Sequence, residues 1–217
     1  MGVAVTTRLL DDGWRVVVPW VVPEELSRVT ERPGLELLEA DLLDPAAVGR
    51  VVALAASEPG APLHAVANLV GGFDAPGKVG EVPVERFERQ FTLNLRPTYL
   101  VCQAALSHLV ASGDGAIVCV GTRAAVTPFS GAAGYAASKA GVITLAKAIA
   151  VEYRDQGVRA NAVLPSVIDT PANREAQPDA DHDRWVKPEL IATVIAHLLS
   201  PESTAINGAA IPVYGRA

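Results

Sequence analysis

The sequence predicts an α/β fold in which helices cover both faces of a doubly wound parallel sheet, three layers deep (αβα). Three observations carry this. Short apolar runs alternate with longer helical patterns along the whole chain. The short runs are nearly continuous in Val, Ala, Leu and Ile, as strands covered on both faces are. No internal repeat, low-complexity tract or linker interrupts them, so one domain over 1–217 is expected.

Each element has its own warrant. Residues 3–12 have a helical pattern that stops at Gly13, a good C-cap. Val16-Val17-Val18 is a β-branched run and reads as a buried strand. A second strand runs over 35–38 and ends at Asp41. Asp44-Pro45 opens a helix to about Ser57, with Asp as N-cap and Pro at the first helical position. A third strand over 65–70 is broken by Gly71-Gly72. One long helix is expected from Val84 to about Ala111, ending near Gly113. A strand over 116–120, a second long helix over 133–155 and a strand over 158–164 follow. Residues 169–187 are polar and irregular; a helix over 188–199 and a strand over 209–213 complete the chain.

Composition narrows the function. The 217 residues are 50% hydrophobic and 19% charged, which excludes a disordered chain. Acids outnumber bases 24 to 18 and the net charge is -6, so nucleic acid and anionic membrane are not expected partners. No apolar stretch reaches the roughly 18 residues of a membrane span. The N-terminus lacks the basic and apolar regions of a signal peptide, so a cytoplasmic protein is expected. Cys102 and Cys119 each lie in an apolar run and read as buried thiols of a reducing compartment, not as a disulfide framework or metal site.

In open α/β sheets ligands bind beyond the carboxyl ends of the strands. Those ends carry Asp41, Asn68 to Gly72, Gly121-Thr122 and Pro165 to Thr170. Tyr135 and Lys139 stand at i and i+4, one helical turn apart on one face. A phenol titrates near ~10 in water, and an adjacent ammonium favours the phenolate. Tyr135 can then exchange a proton near neutral pH. The spacing also occurs on ordinary solvated helix faces. Thr122, thirteen residues earlier, puts a hydroxyl where a substrate carbonyl can be polarised. Asn94 lies inside a helical pattern just before Pro97, which disturbs the turn and frees carbonyls to hold water.

Taken together, these motifs resemble the short-chain dehydrogenase/reductase family, from Gly2 to Gly215. Leu9 to Trp14, Asp41-Leu42 and Asn68-Leu69-Val70-Gly71 stand where the family has related segments, as do Asn161 to Pro165 with Ile168 and Thr170, and Asn207-Gly208. Asn94, Thr122, Tyr135 and Lys139 fall at the spacing of the family's catalytic tetrad. The resemblance implies a Rossmann-like sheet, NAD or NADP as cofactor, and a small-molecule carbonyl or alcohol as substrate. It implies Tyr135 as acid/base, and Lys139 lowering its pKa and holding the nicotinamide ribose. Thr122 would bond the carbonyl oxygen, and Asn94 would support a water linked to Lys139. The cofactor contacts implied are Gly2, Trp20, Asp41, Leu42, Asn68, Val70, Gly71, Tyr135, Lys139, Pro165, Ile168 and Thr170, with no metal. The long helices imply a homodimer or homotetramer.

The sequence departs from that pattern at its start. Gly2 aligns with the last glycine of the family's phosphate-binding turn, and about fifteen residues holding the first family strand are missing. The strands on either side would lose backbone partners. Three explanations stand: a recorded start downstream of the true one, a truncated paralogue, or flanking strands that close up into a smaller sheet. Val18-Pro19-Trp20-Val21 offers neither an acid for ribose nor an Arg for a 2′-phosphate. Trp20 can pack on adenine or be a plain aromatic, and Asp41 can meet the adenine amine or cap a helix. Residues 169–189 would form a substrate loop with six acids and three bases, mostly solvated. Its local likeness to dihydropteridine reductase keeps a pterin substrate as an alternative. A non-catalytic scaffold is the alternative from another class.

Overall fold

The computed structural model describes residues 1–216. Helix α1 (Gly2–Asp11) ends where Gly13 takes a left-handed φ of +85°. Strand β1 (Val16–Trp20), a short helix α2 (Pro23–Leu26) and strand β2 (Leu35–Glu39) follow. Helix α3 (Pro45–Ala55) starts as expected, its N-cap Asp44 accepting from the amides of Ala46 and Ala47. The remaining elements are β3 (Ala65–Asn68), α4 (Val84–Asn94), α5 (Arg96–Ser112), β4 (Gly115–Val120), α6 (Ala133–Glu152), β5 (Val158–Pro165), α7 (Pro171–Ala176), α8 (Pro188–Leu199) and β6 (Ala210–Val213). No helix among the described residues is long and apolar enough to cross a membrane.

All strand pairs are parallel, but they form two sheets, β2-β1 and β3-β4-β5-β6. Helices bridge the interval on both faces. On one, α1 packs on β1 and on α8, which reaches β3; on the other, α3 packs on β1 and on α5, which also reaches β3. The reading in which the flanking strands close up is therefore corrected: β1 and β3 do not pair. The Val16 amide donates to Gly34 and the Ala40 amide to Trp20, so alternate residues Val17 and Pro19 direct their main-chain groups away from β2. The Ala116 amide donates to His64, so Ala65 and Ala67 likewise face away from β4.

The two side-chain layers remain continuous. One core joins α3, α5 and α6 to β4 and β5 through Val48, Leu109, Ile117, Val142 and Leu164. The other joins α1 and α8 to the opposite sheet face through Val5, Leu9, Val118, Ile191 and Ile195. Three further expectations are corrected. The single helix over 84–111 is two helices, broken at Leu95, because Pro97 brings no amide to the carbonyl of Leu93. The third strand stops at Asn68, two residues early. The segment 169–187 is not irregular throughout: it holds α7 and a 3-10 turn over His182–Arg184, and Ile168 bridges Val186.

Candidate active site

The carboxyl ends of β3, β4 and β5 meet the first turns of α6, and this junction gathers Asn94, Thr122, Tyr135 and Lys139. Lys139 points back from α6 onto the end of β4, where its Nζ donates to the Val120 carbonyl at 2.9 Å. Gly121 lets α6 come this close, since a Cβ there would lie 2.8 Å from Ile143. The lysine is 4% exposed. Burial lowers its pKa to about 8, opposed by the neighbouring Cys119 thiol. The Cys119 thiol is itself held up by Cys102 beside it and by burial.

Tyr135 is half-buried at the start of α6. Burial raises its pKa above 10, and the Thr122 hydroxyl beside it works in the opposite direction. The expected lowering by Lys139 is therefore not what this geometry gives. The ammonium is turned to the Val120 carbonyl, and desolvation is the largest effect on the phenol. Thr122 sits just past β4, 8% exposed, its oxygen accepting the Ala124 amide at 3.3 Å. Its O–H is the donor beside the Tyr135 phenol oxygen.

Asn94, fully buried at the end of α4, ties three elements together. Its Oδ1 accepts the Gly72 amide at 2.9 Å, and its Nδ2 donates to Ser138 Oγ at 3.1 Å and Gln90 Oε1 at 3.4 Å. Ser138 Oγ in turn donates to the Tyr135 carbonyl at 2.9 Å. The Asn94 carbonyl accepts the Thr98 hydroxyl at 2.8 Å. Gly71, at φ +154°, lies directly over this network: a Cβ there would run into Asn94 Oδ1 and lie 2.8 Å from Lys139 Nζ. Ser138 and Gln90 were not singled out from sequence. The signals were present: Ser138 lies between Tyr135 and Lys139, and Gln90 shares the helical face of Asn94 at i−4.

The other expected contacts divide. Asn68, buried at the end of β3, donates to the Thr98 carbonyl at 3.3 Å, and Val70 and Gly71 lie exposed beyond it. Pro165 ends β5. Ile168 is half-buried in its bridge to Val186, and Thr170 caps α7 through a bond from the Asn173 amide. Asp41 is exposed and accepts the Leu43 amide at 2.9 Å, which is the local-turn reading of that carboxylate. Leu42 turns its side chain into the core. Trp20 is half-buried at the end of β1. Gly2 opens α1, where a Cβ would meet nothing within 4 Å, so no close packing demands glycine. Among the described residues no cluster of His, Cys, Asp or Glu could hold a metal ion.

A family model described as enoyl-(acyl carrier protein) reductase matches residues 1–215. The chain is 30% identical over 232 residues to the 2-(R)-hydroxypropyl-CoM dehydrogenase of Xanthobacter autotrophicus, across 99% of this chain and 92% of that protein. It is similar to the solved structure of a short-chain type dehydrogenase/reductase from Mycobacterium ulcerans, at TM-score 0.88 and 25% identity, over 99% of this chain and 84% of that one. A 3-ketoacyl-(acyl-carrier-protein) reductase from Brucella melitensis, complexed with NADH, matches at TM-score 0.87 and 27% identity, over 98% of this chain and 92% of that one.

Proposed function

The chain belongs to the short-chain dehydrogenase/reductase family, and on that premise we propose a carbonyl/alcohol oxidoreduction at the Tyr135 phenol. The cofactor is NAD or NADP, and the substrate is a small molecule. Relatives named as a 2-(R)-hydroxypropyl-CoM dehydrogenase and a 3-ketoacyl-(acyl-carrier-protein) reductase favour this over a non-catalytic scaffold and over a pterin reductase.

The residues present fit a nicotinamide. The exposed Gly71 backbone stands directly over the Lys139 ammonium, which after its bond to Val120 keeps two N–H donors for ribose hydroxyls. When bound, the nicotinamide supplies or accepts the hydride. Tyr135 is protonated at neutral pH, so in reduction it gives its proton to the substrate oxygen as negative charge develops there. Thr122 donates a hydrogen bond to the same oxygen. Tyr135 then recovers a proton from water, with the Lys139 ammonium one helical turn away on α6. Asn94 acts here as a positioning residue: it fixes the Gly72 amide and, through Ser138, the Tyr135 turn of α6. Val70, Gly71, Asn68, Pro165, Ile168 and Thr170 line the cofactor side of the same crevice. Gly2, Trp20, Asp41 and Leu42 are assigned to its adenine and phosphate end.

The observation that carries the reading is the buried Lys139 ammonium, one helical turn from a phenol beside the Thr122 hydroxyl at a strand's carboxyl end. Its test is Tyr135→Phe. Oxidation of NADPH or NADH with a panel of aryl and alkyl ketones is expected to fall by about 10³-fold. The dissociation constant for NADPH, followed by tryptophan energy transfer, is expected to stay within about threefold of the original, since the phenol oxygen is not a main anchor of the cofactor. Retained turnover overturns the assignment. A homodimer or homotetramer is supported by Val84, Phe87 and Tyr99, which stay exposed on α4 and α5. A cytoplasmic location is supported by the two buried free thiols.

A further inference from the structure

Phe73 and Phe129 are 63% and 52% exposed, although each is a large apolar ring. Phe73 stands at the proposed proton donor, and Phe129 stands beside Phe73. Phe73 meets the Tyr135 ring edge-on, with centroids 5.1 Å apart, and Phe129 lies 6.3 Å from Phe73 at an interplanar angle of 37°. Val126, on the same loop as Phe129, is exposed as well. Two unburied rings would ordinarily sit on loose loops, but the Phe73 loop is tied at two points and joined to the Phe129 loop at a third. The Gly72 amide is held by Asn94, the Asp74 carboxylate takes both bonds from the Arg86 guanidinium at 2.8 and 3.1 Å, and the Gly77 amide reaches the Gly131 carbonyl at 3.5 Å. The chain thus holds two apolar rings more than half exposed, one of them against Tyr135.

We infer that Phe73 and Phe129 form an aromatic shelf that selects substrates carrying the reacting carbon on a flat aromatic ring. At 6.3 Å the two rings are too close to admit a third between them, so the substrate ring stacks on their open faces, tilted toward Tyr135. The inference rests on the reading of Tyr135 as proton donor. Aromatic pairs contribute beyond the area they bury, which corresponds to about fivefold in affinity.

The test compares acetophenone with 2-octanone, ketones of equal carbon number, of which the second is the more hydrophobic. Binding is measured by ligand-observed saturation-transfer NMR on the full chain with NADP⁺. Acetophenone is expected to bind about fivefold more tightly. In the double variant Phe73→Leu/Phe129→Leu, which keeps an apolar surface and removes the rings, the two ketones are expected to bind within twofold of each other. The single variant Phe73→Tyr is expected to keep the preference, and it guards against a double variant that fails to fold. Equal binding of the two ketones by the original chain overturns the inference. So does a preference that survives loss of both rings. Failure of the oxidoreductase reading is separable: neither ketone would then support NADPH oxidation, while the binding preference persists.

Discussion

Replacing Gly71 with alanine places one methyl group where Lys139 and Asn94 converge. The added carbon would lie 2.8 Å from Lys139 Nζ and closer still to Asn94 Oδ1, and the backbone φ of +154° is one that side-chain-bearing residues rarely adopt. Both polar atoms are fixed: the first by the Val120 carbonyl, the second by the Gly72 amide. Neither can withdraw without breaking a hydrogen bond, buried at Lys139 and part-buried at Asn94. Backbone strain of this kind costs about 1–3 kcal/mol. Overpacking of a filled site adds about 1–3 kcal/mol. Gly71→Ala is therefore expected to destabilise the fold by ~2–6 kcal/mol in urea unfolding. Turnover should fall more than the folded fraction does, because the displaced atoms belong to the catalytic network. Gly2→Ala is the internal control. It has nothing within 4 Å of the new carbon and opens a helix, so it should be neutral or stabilising by up to about 1 kcal/mol. A Gly71→Ala protein within ~0.5 kcal/mol of the original would refute the geometry from which these numbers come.

Two other predictions concern buried cations. The Lys139 ammonium titrates near 8 in the folded chain, whereas an unfolded lysine keeps its proton to about 10.4. Between those values the unfolded state binds more protons, so stability should rise with pH, by ~1–2 kcal/mol from pH 8 to 9.5. Lys139→Met should lack that rise; parallel pH profiles for the two proteins would show that the lysine is not buried as described. Arg159, 7% exposed on β5, donates to the carbonyls of Leu198 in the last turn of α8 and of Ser200 and Ser203 beyond it, and among the described residues its Nε alone has no partner. Arg159→Leu removes those donors and should cost ~2–4 kcal/mol in urea unfolding, with activity per folded molecule unchanged. A cost below ~0.5 kcal/mol would mean that water replaces the guanidinium.

Much of the fold was legible because local chemistry fixed it. Asp44-Pro45 marked the start of α3, Gly13 the end of α1, and the Val16 run a strand; each is a short-range preference that packing did not override. The break at Leu95 was half-legible. Pro97 announced a disturbance, but the sequence did not show that two helices result. The tetrad spacing brought Asn94, Thr122, Tyr135 and Lys139 to notice, and they do meet.

The amino-acid order alone determined the alternation of elements, the parallel sense of the strands and the identity of the polar residues at their carboxyl ends. These follow from periodicity, turn chemistry and spacing, which act within a few residues. Only the tertiary structure decided that β1 and β3 stay apart, that Lys139 bonds Val120, and that Asn94 holds Gly72 and Ser138. It alone set the direction in which Tyr135 is shifted, because desolvation depends on what the whole chain packs around a group and not on its neighbours in sequence.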